Sequence, residues 1–248
     1  MEQVADKKVS IITISFNAEN TIKRTIESVL NQTDTNYEYI IIDGNSQDNT
    51  MNIVKEYDRL FQKKNISFNY ISELDEGISD AFNKGIDLSE GELIGILNAD
   101  DYYCLNAIQI IRSMYSDSYQ IYCGAMNLCS PNGECVKKMK SKPLFIRFGM
   151  YIRHPTVFVK KEVYKELRFS LDFKIAMDFD LILRALNKGY RIKKTKKVIT
   201  SMSLGGVSGD LEKMKIEERE AARRNNNLMW YFFFLLKEKV ERIILKLV

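Results

Sequence analysis

The sequence has few of the residues that build metal–thiolate sites. Its 248 residues include 4 cysteines, 3 prolines and a single histidine. No two cysteines form a Cys-x-x-Cys pair, so we expect no zinc site and instead expect reduced, structural thiols. There is also no run of about 18 apolar residues, so no integral membrane span is expected. The first residues lack an apolar signal core, which favours a cytoplasmic location.

The net charge of +4 is small and gives no reason to expect a nucleic-acid partner. An apolar content of 45% and a charged content of 28% are ordinary for a globular protein. Basic residues concentrate after residue 184, whereas the acidic residues suited to chemistry lie mostly before residue 102. This uneven distribution of charge along the chain predicts a carboxylate-lined site in one part of the protein and a basic surface in another.

The first hundred residues alternate strand-like and helix-like patterns, which predicts an α/β fold with a parallel sheet. The predicted strands cover residues 9–15, 39–42, 68–71 and 93–97, and the predicted helices run from residue 20, over 48–61 and over 78–86. Three of these strands end in polar residues. Ligands of such sheets bind beyond the carboxyl ends of the strands, so we expect these ends to form one crevice.

The pattern loosens after residue 102. Helices are expected over 104–115, 161–167 and 177–188, strands over 119–126 and 156–159, and a hairpin and loop region over 127–150. No repeat or obvious linker is visible. We therefore expect one domain over residues 1–210 and a helical tail over 211–248.

Asn98-Ala99-Asp100-Asp101 is the most informative segment, because a buried strand runs directly into adjacent carboxylates. Hard oxygen ligands of this kind hold Mg²⁺ or Mn²⁺, which bridges phosphate oxygens. A cation here would neutralise charge on a departing diphosphate. The alternative is a turn or a helix N-cap, where Asn and Asp are also common.

Two further polar loops follow predicted strands, DGNSQD over 43–48 and ELDEG over 73–77. Asp80, Asn83 and Lys84 then share one face of the next helix. Each loop alone is typical of a solvated turn, but three loops at converging strand ends favour a common binding site.

Asp178 lies near the start of an amphipathic helix, where the helix dipole favours an ionised carboxylate. It could take a proton from an attacking sugar hydroxyl, or it could simply cap the helix. Arg184 suits either a phosphate contact or an anchor for this helix. His154 is either a structural hydrogen-bonding residue or part of a site. The loop GGVSG at 205–209 is flexible enough for a lid, but it is not a Walker loop.

Seven segments, spread in order from about residue 9 to 208, resemble the family 2 glycosyltransferases. They are VSIITISFNAENTIKRTIESVLNQT, YIIIDGNSQDNT, ISELDEGISDAFNKGI, GELIGILNADDYY, HPTVFVKKEVY, MDFDLILRAL and SLGGVSG. The resemblance implies the GT-A fold, a Rossmann-like, mostly parallel sheet flanked by helices. It also implies a nucleotide-diphosphate sugar donor, with a UDP-sugar favoured, a divalent cation (Mn²⁺ or Mg²⁺) and inversion at the anomeric carbon.

The resemblance assigns residues to the donor side by position. Phe16 and Asp43 would contact the base or ribose, and Asp75 would belong to the donor-binding loop. Asn98 and Asp100 would bind the metal ion and so the diphosphate of the nucleotide-sugar.

The resemblance also assigns the remaining roles. Asp178 would be the catalytic base, Arg184 a conformational or phosphate partner, and His154 an acceptor-side residue. Two positions depart from the family pattern. Gly44 stands where many members have a second aspartate, which leaves the nucleotide base less defined. Asn98 replaces an aspartate, so metal binding should rest chiefly on Asp100.

The tail contains LMWYFFFLL at 228–236, which is too short to span a bilayer. An apolar stripe follows and is opposed by Lys237, Lys239, Arg242 and Lys246. Such a helix suits an anionic membrane surface, and the alternative is packing on the catalytic domain or on a second subunit of a homo-oligomer. We favour peripheral contact with the cytoplasmic membrane face, where a lipid-linked or glycan acceptor of bacterial-type surface polysaccharide synthesis would lie.

Two other functions compete with glycosyl transfer. A nucleotidyltransferase would show a glycine-rich basic loop after the first strand, where this sequence reads FNAE. A catalytically silent nucleotide-sugar-binding or membrane scaffold protein would not need both Asp100 and Asp178.

Overall fold

Strands and helices alternate through the first hundred residues, as the sequence predicts. The computed structural model describes residues 7–130, 133–203, 211–229, 231–233 and 236. The strands are β1 (Val9–Ser15), β2 (Tyr37–Asp43), β3 (Ser67–Ser72), β4 (Leu93–Asn98), β5 (Tyr102–Tyr103), β6 (Ile121–Cys129), β7 (Cys135–Lys140), β8 (Phe158–Lys160) and β9 (Ile192–Ser203). The helices are α1 (Ile22–Leu30), α2 (Thr50–Glu56), α3 (Asp58–Lys63), α4 (Ile78–Leu88), α5 (Ala107–Ser113), α6 (Lys161–Glu166), α7 (Met177–Asn187) and α8 (Leu211–Arg224). Short 3₁₀ helices cover Pro143–Phe148 and His154–Thr156.

The described strands form one sheet in the order β3-β2-β1-β4-β8-β6-β9-β5, and β7 pairs with β6. The first four strands in this order run parallel, whereas β8 is antiparallel to both β4 and β6. In register, Ser15 pairs with Asp43, Asp43 with Ser72, and Ile14 with Asn98. The carboxyl ends of the four parallel strands therefore lie side by side at one edge of the sheet, and the crevice expected there stays a prediction.

β1, β2 and β4 are buried on both faces of the sheet, and this explains their nearly continuous apolar runs, whereas the edge strand β3 is mostly exposed. Ile12 and Ile96 face the layer that contains α4 and α7, whereas Ile11 and Leu97 face the layer that contains α1 and α5. The alternation along each strand thus builds two cores, one on each side of the sheet.

Two predictions differ from the structure. The helix predicted over 48–61 is two helices that meet at Tyr57, whose hydroxyl donates to Glu27 at 2.9 Å. The lysine-rich residues 192–203, for which no strand was predicted, form the longest of the described strands, because β9 pairs with β6 from Ile121 to Cys129. The hairpin predicted within 127–150 is formed by β6 and the antiparallel β7, and a 3₁₀ helix follows it.

The described part of the C-terminal segment packs on the rest of the protein. Ala221 and Ala222 of α8 are fully buried in the core that contains α7. Residues 205–209 and 237–248, which include the predicted flexible loop and the basic stripe, lie outside the described residues. No helix in the described ranges is long and apolar enough to cross a membrane. The division at residue 210 stays a prediction.

Candidate active site

Asp43 ends β2 and is fully buried, with four donors around its carboxylate. The hydroxyls of Ser15, Ser46 and Ser72 donate to it at 2.8, 2.5 and 2.7 Å, and the backbone N–H of Ser46 donates at 2.9 Å. A carboxylate can accept about four hydrogen bonds, so these four donors occupy all of its acceptor positions. Asp43 fixes the start of the 43–48 loop, and its expected contact with the base or ribose stays a prediction.

Phe16 and Asp75 lie on either side of Gly44 at the ends of β1, β2 and β3. A methyl group at residue 44 would lie 2.7 Å from Oδ2 of Asp75 and 3.5 Å from Cδ2 of Phe16. Oδ1 of Asp75 accepts the backbone N–H of Gly77 at 2.9 Å, and the Phe16 side chain is 65% exposed. Phe16 and Asp75, which were both predicted to bind the donor, therefore lie close to each other. The Asp75 carboxylate occupies space that a side chain at residue 44 would fill.

The 73–77 loop is held by Lys84 of α4. Its Nζ donates to the carbonyl oxygen of Leu74 at 2.8 Å and pairs with Glu73 at 2.9 Å and Asp80 at 3.2 Å. Asn83, on the same helix, contacts Phe169 instead. Its Nδ2 donates to the carbonyl oxygen of Phe169 at 2.9 Å, and its Oδ1 accepts the backbone N–H of Phe169 at 3.0 Å. The loop is thus fixed by a charged network, and α4 joins it to the segment before α7.

The acidic loop at 98–101 is fixed largely through its backbone. The carbonyl oxygen of Asp100 accepts from Nη2 of Arg24 and from the hydroxyl of Ser203, both at 2.9 Å. The hydroxyl of Thr25 lies 2.7 Å from the carbonyl oxygen of Asp101. Asp101 is 1% exposed, and its Oδ1 accepts the N–H of Ser203 at 3.3 Å. These contacts leave the partly exposed Asp100 carboxylate for a ligand.

The charges of this loop fit a cation. Burial raises the pKa of Asp100 above its usual value, although Arg24 opposes the shift. Burial also raises the pKa of Asp101 well above its usual value, and the negative charge of Asp100 adds to that shift. Among the described residues, no group of three or more His, Cys, Asp or Glu side chains could hold a metal alone. The donor set of Asp100 with the Asn98 amide fits Mg²⁺ or Mn²⁺ whose shell is completed by water and diphosphate oxygens.

Asp178 lies in the first turn of α7 and faces His154. Nδ1 of His154 is 3.7 Å from Oδ2 of Asp178, whose Oδ1 accepts the N–H of Phe179 at 2.7 Å. The His154 ring stacks on Phe82 of α4 with centroids 5.6 Å apart. Burial raises the pKa of Asp178 and lowers that of His154, and the charge of each partner opposes the shift of the other. A largely desolvated carboxylate with a raised pKa suits a general base.

A small cavity brings Asp178 close to β4. Asp178, His154 and Ile96 contribute to its wall. Ile96 precedes Asn98 by two residues on β4, so this part of the cavity wall belongs to the strand that leads into the acidic loop. Nε2 of His154 is buried and has no hydrogen-bond partner in the described part of the chain. Because buried polar atoms are normally paired, this nitrogen suits a hydroxyl or a water.

Arg184 has its own partners on α7 and beside it. Its Nε donates to Asp180 at 2.7 Å, and its Nη2 donates to the carbonyl oxygen of Arg168 at 2.6 Å. Asp180 is 3% exposed and also accepts from Asn225 at 2.9 Å. These contacts favour the anchoring role that the sequence left open, and the expected phosphate contact stays a prediction.

Some side chains that support the site were not expected from the sequence. Oε2 of Glu217 accepts the backbone N–H groups of Lys174, Ile175 and Ala176 at 2.9, 2.7 and 3.0 Å, just before α7. Arg24 holds the acidic loop from α1. Arg24 lies in the first of the seven segments but was given no role there, and Glu217 lies in none of them. The roles of both residues depend on contacts far apart in the sequence.

The family model of glycosyl transferase family 2 matches residues 10–175. The Escherichia coli UDP-Glc:alpha-D-GlcNAc-diphosphoundecaprenol beta-1,3-glucosyltransferase WfaP is 28% identical over 214 residues, which cover 84% of this chain and 81% of WfaP. By contrast, the chain spans 22% of a Pasteurella multocida hyaluronan synthase and 32% of an Escherichia coli chondroitin synthase that it also matches.

Two solved structures share the fold. S. aureus TarS in complex with UDP-GlcNAc superposes with a TM-score of 0.69 and 20% identity, covering 88% of this chain and 65% of the TarS chain. The mannosyltransferase PcManGT from Pyrobaculum calidifontis, in complex with GDP-Man and Mn²⁺, gives a TM-score of 0.65 and 15% identity, covering 81% and 58% of the two chains. The predicted GT-A fold is therefore confirmed.

Proposed function

The chain belongs to glycosyl transferase family 2, and on that premise we propose that it transfers a sugar with inversion from a nucleotide-diphosphate sugar to an acceptor hydroxyl. The observation that carries the proposal is that β4 runs into the acidic loop of Asp100 and also, through Ile96, lines the cavity of Asp178, which lies on a separate element. In the proposed reaction Asp100 serves the diphosphate side and Asp178 the acceptor side, so they do not compete for the same proton.

The donor is proposed to lie across the ends of the parallel strands. Phe16 offers an exposed ring for the base, and Asp75 lies beside it at the end of β3. The UDP-GlcNAc complex of TarS supports a UDP-sugar as the donor. Because Gly44 has no side chain to contact the nucleotide base, selection of the base would depend on neighbouring residues such as Phe16.

The chain's own residues would orient the donor and accept the proton. Asp178 takes the proton of the attacking acceptor hydroxyl at Oδ2, and the N-terminus of α7 stabilises its charge. Nδ1 of His154 faces the same oxygen at 3.7 Å. The inverting reaction needs this base on the face opposite the departing nucleotide.

A divalent cation, Mn²⁺ or Mg²⁺, would be held by Asp100 with the Asn98 amide. When bound, it would supply electrostatic neutralisation of the leaving diphosphate. The Mn²⁺ of PcManGT supports this cofactor class.

The acceptor is proposed to be a glycan or lipid-linked sugar hydroxyl in bacterial-type surface polysaccharide synthesis. The diphosphoundecaprenol acceptor in the name of WfaP supports a lipid-linked one. A lipid-linked acceptor would place the protein at the cytoplasmic face of a membrane as a peripheral protein.

Thermal shift measurements test the donor site directly. Purified protein is heated with nucleoside diphosphates and nucleotide-sugars, each with Mn²⁺, with Mg²⁺ or with a chelator. We expect a uridine nucleotide with Mn²⁺ to raise the unfolding temperature, and the matching nucleotide-sugar to release its nucleotide when an acceptor is supplied. If none of the nucleotides stabilises the protein under any of these conditions, the donor-site proposal is wrong. If binding occurs and no acceptor supports turnover, a nucleotide-sugar-binding protein is the better description.

A further inference from the structure

The structure exposes an apolar surface that the proposed transfer reaction does not use. We define the apolar surface as Leu144, Phe145, Leu228, Met229, Phe232 and Leu236, all of which are exposed. Leu144 is 87% exposed, Leu228 78% and Phe232 75%. Single exposed apolar residues are ordinary, but a cluster drawn from two segments indicates an interaction site.

The two segments of the apolar surface are in direct contact. The ring of Phe148, at the end of the first 3₁₀ helix, meets the ring of Phe233 edge-on with centroids 5.5 Å apart. The side chain of Asn227 donates to the carbonyl oxygen of Arg147 at 3.0 Å. Leu144 and Phe145 therefore belong to the same surface as the 228–236 segment.

The exposed apolar residues of the second segment follow a helical spacing. Leu228, Phe232 and Leu236 are four residues apart, a spacing that suits one face of a helix, and all three side chains are exposed. Tyr231, in contrast, is partly buried and packs against the main core. Apolar side chains that served only to pack on their own domain would be buried, whereas these three face solvent.

The charge around the apolar surface selects its partner. Residues 135–161 contain eight lysines and arginines and no aspartate or glutamate, and Lys137, Lys138, Lys140 and Lys142 are exposed. In the second segment Arg223 and Arg224 are paired with Glu220 and Asp172, so the unbalanced positive charge lies on the side of the first segment. Lys142 is exposed beside Leu144, and Arg147 follows Phe145 by two residues. A symmetric contact with a second copy would bring these like charges together, whereas anionic headgroups would neutralise them.

We propose that the apolar surface, together with its basic surroundings, docks on an anionic lipid bilayer, with Leu144 and Phe145 inserting beside Leu228, Phe232 and Leu236. The inference rests on the peripheral-membrane part of the proposed function and identifies its surface. It places two separate chain segments in the interfacial layer, so attachment does not depend on the tail alone.

Flotation with lipid vesicles tests the proposal on the full chain. We expect wild-type protein to float with phosphatidylcholine vesicles that contain phosphatidylglycerol, and to remain behind with pure phosphatidylcholine. The double variant Leu144→Ser/Phe145→Ser, which keeps the tail intact, should reduce binding about fivefold or more. Phe232→Ser should also reduce it. Leu105→Ser is a matched control, because Leu105 is 64% exposed in the connection between β5 and α5.

Several results would overturn the proposal. Equal binding of wild type and the double variant would mean that the tail alone attaches the protein, and equal binding to both vesicle types would remove the role of charge. If wild-type protein does not bind vesicles but sediments as a dimer, and the double variant sediments as a monomer, the apolar surface would be assigned to a contact with a second copy. Nucleotide-induced stabilisation, measured on the same proteins without vesicles, reports separately on the donor site, so either proposal can fail alone.

Discussion

Nδ1 of His154 lies 3.7 Å from Oδ2 of Asp178, in the range of an ion pair but beyond a direct hydrogen bond. Burial favours the neutral form of both groups, so it raises the pKa of Asp178 and lowers the pKa of His154. The charge of each group works against the shift of the other, because it stabilises the charged form of its partner. The protonation state of the proposed base is therefore linked to the imidazole next to it.

Replacing His154 with Asn should move the acid limb of the pH–rate profile to higher pH. A base is active when deprotonated, so kcat/KM rises with pH through the raised pKa of Asp178. The charge of His154 lowers that pKa, and its removal raises the pKa further. Activity should then fall more at mildly acidic pH than at alkaline pH. Tyr164→Phe is a suitable control, because Tyr164 lines the same cavity. If the variant lowers kcat/KM by the same factor at every pH, His154 does not affect the pKa of Asp178 and has only a packing role.

Asp178→Asn should abolish transfer and yet stabilise the fold at neutral pH. Loss of a general base lowers kcat by about 100-fold or more. Because the folded-state pKa of Asp178 is raised, its favourable contribution to stability is present below the unfolded-state pKa and is lost as pH rises through the folded-state pKa. The unfolding temperature of the variant should therefore exceed that of wild type at pH 7, and the gain should shrink in acid. Transfer at the wild-type rate would contradict the base assignment.

β1, β2 and β4 could be predicted from the sequence, because they are buried on both faces of the sheet and appear as apolar runs. β9 could not, since its exposed lysines are stabilised by pairing with β6 rather than by their own pattern. The site shows the same division. Asp100 and Asp178 stand in local motifs, whereas the roles of Arg24 and Glu217 depend on backbone groups far away in the sequence. Arg184 could be given two roles from spacing alone, and its contacts with Asp180 and with the carbonyl oxygen of Arg168 favour the anchoring role.

Gly44→Ala should weaken nucleotide binding and leave the fold intact. The added methyl group would lie 2.7 Å from Oδ2 of Asp75, which is the mobile end of a side chain, so Asp75 can move at little cost to stability. We expect the affinity for a uridine diphosphate to fall several-fold in calorimetry, with an unfolding temperature close to that of wild type. Asp75→Ala should reproduce the loss of affinity. Unchanged affinity in both variants would remove Asp75 from the donor site.

Asp100→Asn should remove the metal dependence of nucleotide binding. The variant loses the partly exposed carboxylate of the acidic loop, and the Asn98 amide brings no charge to compensate. Mn²⁺ should then add little to the thermal shift produced by a nucleoside diphosphate. The reverse change, Asn98→Asp, should lower the Mn²⁺ concentration needed for half of the shift. If both variants respond to Mn²⁺ as wild type does, the cation does not bind at this loop.

Glu217→Ala should lower kcat more than it changes the affinity for the donor. Oε2 of Glu217 accepts three successive backbone N–H groups before α7, and these groups fix the turn from which Asp178 projects. Without this acceptor the N–H groups must find water, which we expect to cost about 1–3 kcal/mol of unfolding free energy in urea denaturation. Glu217→Gln retains one acceptor oxygen and should recover part of kcat. Glu212→Ala is the matched control, because Glu212 is exposed on the same helix. A loss of stability with kcat unchanged would show that Glu217 holds α8 in place without positioning the base.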